Sequence, residues 1–176
     1  MHGVVSLLDA QHDQAVHELW AELADSQGLN GISITPIPHF SYHVAQAYND
    51  NLLEQTVIDL ADELAPFEVQ TSGLGIFTGP NPVLYIPVTR TAMLSRIHER
   101  VYERVVQHST GEVGYYQPPT WTPHITLAHG DLTPDNLSAV MRLLSGRNFD
   151  WRIPIDNLAT IYDDDGQHRV RSRFAL

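Results

Sequence analysis

The hydrophobic positions along the chain follow two periods, which predict helices and strands in alternation. Apolar residues at intervals of three and four place one face of a helix in a core. Apolar and polar residues that alternate, with turn-forming residues at both ends, predict strands. The predicted helices are 13–24, 51–64, 92–106 and 134–144. The predicted strands are 3–8, 39–45, 67–77, 82–88, 124–128, 149–162 and 169–174.

This order of elements favours an α+β fold with mainly antiparallel sheets. Turn-forming residues at 78–81 and 163–167 predict two hairpins, and Thr133 and Pro134 resemble the N-cap and first residue of the last helix. No low-complexity segment or long linker interrupts the 176 residues. We therefore expect residues 1–176 to form one domain, or two tightly joined lobes, around a core of ordinary size.

Two of the predicted strands begin with the same short pattern, a proline followed by histidine, one apolar residue and a hydroxyl-bearing residue. The first contains His39 and Ser41, and the second contains His124 and Thr126. Side chains alternate between the two faces of a strand, so each imidazole shares a face with its hydroxyl. The same alternation predicts that His43 lies on the face of His39 and Ser41, where it could line a cleft or end in solvent.

Chance alone would produce some of these patterns. With ten histidines in the chain, about one match to His-x-Ser/Thr is expected by accident, and three are present. The third match, 108–110, follows the helix at 92–106 and has no preceding proline and no alternating strand. We interpret it as the accidental one. The alternative for the other two is a pair of half-buried strand histidines bonded to nearby carbonyl groups.

Two imidazoles on facing strands suit the chemistry of a phosphodiester. Its cleavage requires one group that takes a proton from the attacking oxygen and another that protonates the departing oxygen. The ordinary histidine pKa of about 6.5 lets one ring be neutral and the other charged near neutrality. The hydroxyl groups of Ser41 and Thr126 could donate hydrogen bonds to the phosphate oxygens. This arrangement needs no metal and no cofactor.

Composition narrows the alternatives. Cysteine and lysine are both absent, which excludes thiolate nucleophiles, disulfides and lysine Schiff bases. The net charge of −11 disfavours clamping of long nucleic acid but allows a small or terminal phosphate to bind. The apolar runs are far shorter than the roughly 20 residues of a membrane span, and no secretory signal is evident. We expect a cytoplasmic monomer.

The two segments resemble the paired HxTx motifs of the two-histidine (2H) phosphoesterase superfamily, which includes bacterial 2'-5' RNA ligase-like proteins and cyclic nucleotide phosphodiesterases. The segments 74–77, 83–88 and 116–123 are also similar to that family. The resemblance implies a bilobal α+β fold, with two mainly antiparallel sheets related by pseudo-twofold symmetry around a central cleft. It also implies that His39 and His124 are catalytic and that Ser41 and Thr126 bind phosphate.

The substrates that the resemblance implies are 2',3'-cyclic phosphates at RNA ends, a cyclic phosphate of ADP-ribose, or 2'-5' linkages, with possible reverse ligation. The chain departs from the family pattern at three positions. Ser41 stands where threonine is commoner, and Tyr42 where an aliphatic residue is usual. Ala128-His129-Gly130 follows the second motif, where many relatives carry arginine.

Further candidates come from the neighbourhood of the motifs. Tyr115, Tyr116 and Trp121 precede the second motif and could stack on a base or ribose, although ordinary loop packing is as good an explanation. Four arginines recur at helical spacing in and just before the helix at 92–106, and a solvated, ion-paired face explains them better than substrate binding. They are Arg90, Arg96, Arg100 and Arg104. The acidic run at 163–166 is explained by a turn.

Two other functional classes compete with a metal-independent enzyme. One is a binding module that recognises a nucleotide or phosphorylated metabolite without turnover. The other is a metal hydrolase whose ligands are His39, His43 and His124, although no carboxylate lies at a suggestive spacing.

Overall fold

The structure is a computed structural model that describes residues 2–176. Its helices are α1 (Ala10–Gln27), α2 (Asp50–Glu63), α3 (Ala92–Val105) and α4 (Pro134–Leu144). Its strands are β1 (His2–Leu7), β2 (His39–Tyr48), β3 (Phe67–Gln70), β4 (Gly75–Phe77), β5 (Val83–Pro87), β6 (Ser109–Glu112), β7 (His124–Ala128), β8 (Arg152–Ile155), β9 (Asn157–Asp164) and β10 (Gln167–Ala175). Short 3-10 turns lie at Gly31–Ile34, Val106–His108 and Gly114–Tyr116.

The strands form antiparallel sheets, which confirms the predicted α+β class. The largest sheet has the order β10-β9-β1-β2-β6, a second has the order β4-β5-β7, and β3 pairs with β8. A single bridge between Thr71 and Val88 joins the ends of β3 and β5, so the two smaller sheets are neighbours. The predicted pseudo-twofold relation between the halves of the chain stays a prediction.

Local sequence signals explain where the helices begin and end. The Asp9 carboxylate accepts the backbone N–H groups of Gln11 and His12, so α1 begins earlier than predicted. Gly28 ends α1 with φ of 70°, a left-handed conformation that glycine adopts without steric cost. Thr133 forms a capping box with Asn136, which confirms the predicted start of α4.

Three strand predictions were wrong in detail. The predicted strand 67–77 divides into β3 and β4, with Gly73 at φ 61° between them. The predicted strand 149–162 divides into β8 and β9, which belong to different sheets. No strand was predicted at the position of β6, because its sequence Ser-Thr-Gly-Glu has no apolar alternation; it pairs with the far end of β2.

The core places β2 and β7 side by side. The apolar residues of both strands, Phe40 and Tyr42 in β2 and Ile125 and Leu127 in β7, are at most 1% exposed and belong to one hydrophobic cluster. Because side chains alternate along a strand, this shared core turns the remaining residues of both strands toward the other side. The two motifs therefore open onto one region.

Among residues 2–176, none of the helices combines the length and the apolar composition needed to cross a membrane.

Candidate active site

The two motif histidines are held in the same way. His39 and His124 are the first residues of β2 and β7. The Nδ1–H of His39 donates to the carbonyl oxygen of Ile37 at 2.6 Å, and that of His124 donates to the carbonyl oxygen of Thr122 at 2.7 Å. In each case the acceptor lies two residues earlier, across the proline. These bonds fix the tautomer and leave Nε2 as the reactive nitrogen of each ring.

The two imidazoles lie within electrostatic reach of each other. The pKa of His39 is lowered to about 4, chiefly by burial and in smaller part by positive charge on His124 or His168, against the effect of the Ile37 carbonyl. Burial also lowers the pKa of His124. Both rings are therefore neutral at pH 7 in the empty cleft, and a bound anion would favour protonation of either.

Three of the candidate residues line a cavity of about 140 Å³ together with His39: they are Ser41, Tyr116 and Thr126. The hydroxyl group of Tyr116 is hydrogen-bonded to that of Ser41, and burial raises the pKa of Tyr116. Tyr116 therefore supports the first motif directly.

His124 stands beside an aromatic pair and is not among the residues that line this cavity. Its ring meets Phe77 edge-on at 4.9 Å and lies 5.1 Å from Tyr85, and the rings of Phe77 and Tyr85 stack at 4.2 Å. Tyr85 covers Gly75 so closely that a Cβ at Gly75 would lie 2.3 Å from the ring. Glycine in the segment 74–77 thus permits the aromatic support of His124.

The prediction that His43 shares a face with His39 was wrong, because β2 contains a bulge. In the pairing with β1, Val5 lies opposite Ser41 and Val4 lies opposite His43, so Tyr42 is the extra residue. The bulge moves the alternation by one position, and Val44 rather than His43 lines the cavity.

His43 is instead fully buried on the other side of the strand. Its Nδ1 is 2.6 Å from the hydroxyl of Tyr48, and its Nε2 has no hydrogen-bond partner and lies 3.9 Å from Glu112. The metal hydrolase alternative loses its proposed ligand set, since His43 does not join His39 and His124. Among residues 2–176, no three histidine, aspartate or glutamate side chains are grouped so that they could hold a metal ion.

Trp121 is also not available to a substrate, so its prediction as a stacking platform was wrong. Its side chain is 2% exposed, and its ring stacks on that of His98 at 3.8 Å. The indole N–H donates to the backbone carbonyl of Ser41 at 2.8 Å, which ties the loop before β7 to the middle of β2. Arg90 donates to the carbonyl groups of Trp121 and Pro118 and holds the same loop.

Two of the arginines, both in helix α3, form ion pairs, and their partners lie on α2. Arg100 pairs with Glu63 at 2.8 Å, and Arg104 pairs with Glu63 and Asp59. None of the arginines is among the described residues that line the cavity.

Sequence reasoning missed several residues of the cavity. Thr35, His168 and Trp20 line it, and His129 does so from the position just after the second motif. The position of His129 was a usable signal. His168 lies far along the chain in β10, and nothing in its local sequence distinguishes it. Trp20 reaches the site because its indole N–H donates to the carbonyl of Thr126 at 3.1 Å.

Comparisons with known proteins agree with this geometry. The model of the 2'-5' RNA ligase superfamily matches residues 8–167. A Bacillus cereus protein (strain B4264), whose name describes it as an unproven phosphoesterase, is 27% identical over 143 residues, which cover 79% of this chain and 78% of the relative.

Solved structures show the same fold. A Thermus thermophilus protein, TT0787, has a TM-score of 0.68 at 20% identity, with 99% of this chain and 97% of that chain covered. LigT of Escherichia coli, complexed with NADP+ in one structure and with 3'-AMP in another, has a TM-score of 0.60 at 13% identity. The match covers 99% of this chain and 96% of the NADP+ complex.

Proposed function

Because this chain belongs to the 2'-5' RNA ligase superfamily, we propose that it is a metal-independent phosphoesterase in which His39 and His124 form an acid/base pair. The substrate is a 2',3'-cyclic phosphate or a related phosphodiester at an RNA end or on a nucleotide. The observation that carries the proposal is the matched hydrogen bonding of the two rings, with both Nδ1 atoms occupied and both Nε2 atoms left for chemistry.

In the proposed reaction His39 acts as the base, because the pKa of about 4 keeps its ring neutral. Nε2 of His39 takes a proton from water while the water oxygen bonds to phosphorus. The bond between phosphorus and the ribose O2' or O3' breaks, and that oxygen takes a proton from the imidazolium of His124. The product is a phosphate monoester, and solvent exchange restores both rings.

Hydroxyl groups supply the anion-binding part of this site. Ser41 and Thr126 line the cavity beside His39, and Tyr116 is bonded to Ser41. Their O–H groups can donate to the non-bridging phosphate oxygens, where negative charge grows in the transition state. Neutral donors suit a small phosphate in an acidic protein better than they suit a long polynucleotide.

The nucleotides in the LigT complexes support a nucleotide as the substrate, since NADP+ and 3'-AMP both carry a phosphate on the ribose. By the same likeness, ligation that forms a 2'-5' linkage would open the cyclic phosphate with a 5'-hydroxyl group in place of water and break the bond between phosphorus and O3', and its reverse would cleave a 2'-5' linkage. The same acid and base would serve both directions, with their roles exchanged.

The test is hydrolysis of adenosine 2',3'-cyclic phosphate by protein that has been treated with EDTA. His39→Ala and His124→Ala should each lower kcat/KM by about 10²–10⁴-fold, which is the usual contribution of a general acid or base. His108→Ala is the matched control, because His108 belongs to the accidental third match and lies in the turn after α3. Its activity should equal that of the wild type.

Activity that survives in either motif variant would defeat the proposal. Loss of activity on chelation, with recovery in zinc, would instead favour a metal hydrolase. Thermal stabilisation by the nucleotide without any product would identify a binding module.

A further inference from the structure

The ionisable side chains that line this cavity are mostly histidines. Besides His39, the lining includes His2, His129 and His168. No aspartate, glutamate or arginine side chain is among the described residues of the lining, and the chain contains no lysine. Among the described side chains that line the cavity, only histidines can therefore carry positive charge.

His129 and His168 are close to each other, and His168 is close to His39. Positive charge on His168 lowers the pKa of both His39 and His129. The Nδ1 atom of His168 is 2.6 Å from the hydroxyl oxygen of Thr35, which also lines the cavity. This bond leaves Nε2 of His168 as the nitrogen that a ligand could reach.

The wall that carries Thr35 is fixed against the segment after β7. The backbone N–H groups of Asn30 and Gly31 both donate to one carboxylate oxygen of Asp131. A Cβ at Gly31 would lie 2.0 Å from the carbonyl oxygen of His129, so only glycine allows this close approach. The turn and His129 are thus held together before any ligand binds.

The acidic groups that face the two histidines lie outside the lining. His129 faces Asp131 and His168, and His168 faces Asp163, His39 and His129. The carboxylates of Asp131 and Asp163 each accept backbone N–H groups. Protonated imidazoles inside the cavity would therefore repel one another, and an anion between them would be favourable.

We propose that His129, His168 and Thr35 form a second anion subsite in the cavity, which binds a phosphate group other than the one that reacts. This inference rests on the proposed function and narrows its substrate to a nucleotide with two separate phosphate groups, such as a nucleoside 2',3'-cyclic phosphate that also carries a 5'-phosphate. The subsite binds most tightly at acidic pH, because burial lowers the pKa of His129 and its ring must gain a proton to attract the anion.

A phosphate fits these residues better than a metal ion does. Two protonated imidazoles and a hydroxyl group can all donate hydrogen bonds to a phosphate, and the charge-assisted bonds from the imidazoles are the stronger kind. Metal binding would require neutral rings and a third ligand, and no such group is assembled in residues 2–176.

Isothermal titration calorimetry tests the subsite without requiring turnover. The two probes are adenosine 3'-phosphate and adenosine 3',5'-bisphosphate, measured at pH 5.5 and pH 8. At pH 5.5 the bisphosphate should bind wild-type protein at least about tenfold more tightly than the monophosphate, and the ratio should shrink toward one at pH 8. Titrations in two buffers of different ionisation enthalpy should show proton uptake on binding of the bisphosphate.

Three variants distinguish the loss of the subsite from the general effect of replacing a histidine. His129→Gln and His168→Gln should each reduce the ratio at pH 5.5 to about one to threefold, and His108→Gln should keep the wild-type ratio. Thermal unfolding of each variant checks that it is folded. A wild-type ratio of one at pH 5.5, or an unchanged ratio in both His129→Gln and His168→Gln, would overturn the proposal.

Hydrolysis assays distinguish a failure of the subsite proposal from a failure of the proposed function. If the wild type binds the bisphosphate preferentially but cleaves no cyclic phosphate, the subsite stands and the enzymatic assignment fails. If the wild type cleaves adenosine 2',3'-cyclic phosphate with the same kcat/KM whether or not a 5'-phosphate is present, and shows no preference in binding, the enzyme stands and the subsite fails.

Discussion

Burial sets the protonation of the motif histidines, and the resulting pKa values predict the pH dependence of the reaction. The base must be deprotonated, which for His39 occurs above its pKa of about 4. The acid must be protonated, and the pKa of His124 is lowered below the ordinary 6.5. We therefore expect kcat/KM to be highest just above pH 4 and to decline from a pH below 6.5, by tenfold per pH unit once His124 has lost its proton.

The measurement is kcat/KM for adenosine 2',3'-cyclic phosphate across pH 4 to 9. The profile of kcat should lie at higher pH, since the bound phosphate favours the protonated rings. A kcat/KM that keeps rising through pH 8 would contradict the assignment of a histidine as the acid.

For the single residue Thr126, the hydroxyl group should contribute more to catalysis than the shape of the side chain does. Thr126→Val keeps the volume of the side chain but removes the donor, so we expect a loss of about 10²-fold in kcat/KM, typical of a lost oxyanion donor. Thr126→Ser keeps the donor and should retain activity within a few-fold of the wild type. Steady-state kinetics of the two variants decides the matter, and equal losses in both would assign Thr126 a packing role only.

Secondary structure explains which site residues the sequence could predict. The pairing of β7 with β5 is regular from His124 to Thr126 and shifts register only at Leu127, so the shared face of His124 and Thr126 followed from the sequence alone. In β2 the same rule held for His39 and Ser41 but failed at His43, because pairing with β1 introduces the bulge at Tyr42. A bulge depends on the partner strand, so the local sequence of β2 contains no signal for it.

The hairpin of β4 and β5 makes a further prediction at this scale. Gly75→Ala would place a Cβ 2.3 Å from the ring of Tyr85, which is 9% exposed and packed against Phe77. The ring must shift, and His124 loses its aromatic support. We expect kcat to fall by about tenfold or more with little change in KM, since small errors in the position of a catalytic group are costly.

Steady-state kinetics with adenosine 2',3'-cyclic phosphate measures this effect. Gly146→Ala is the control, because nothing lies within 4 Å of a Cβ at that position. Unchanged kcat in Gly75→Ala would show that the position of Tyr85 does not influence His124.

In the whole molecule, the features that the sequence did not predict depend on pairing between strands that are distant along the chain. Local periodicity predicted the order of the helices and strands and the presence of two similar motifs at the starts of strands. The division of 149–162 between two sheets was not predicted, since β8 pairs with β3 while β9 pairs with β1 and β10. His168 reaches the cavity through that pairing, which explains why it escaped the sequence analysis.

Stability should also depend on pH, because two histidines outside the cleft are fully buried. Burial lowers the pKa of His43 and of His98 to about 4, and each ring has one nitrogen without a hydrogen-bond partner. Unfolding restores a pKa near 6.5, so the unfolded chain binds more protons between pH 6.5 and 4. The free energy of unfolding should therefore fall with pH across that window, by about 2 kcal/mol per histidine at pH 5.

Urea denaturation at pH 7, 6 and 5 measures this loss, and a variant identifies its source. Glu112 lies 3.9 Å from Nε2 of His43 and opposes the effect there, so His98 is the cleaner position to change. His98→Gln should be less stable than wild type at pH 7, because the ring stacks on Trp121 and donates to the carbonyl of Tyr42. Its stability should nevertheless fall less steeply between pH 7 and pH 5, since one buried titrating group is gone. Parallel stability curves for the two proteins would show that the acid sensitivity arises elsewhere, and the buried neutral state assigned to His98 would then be wrong.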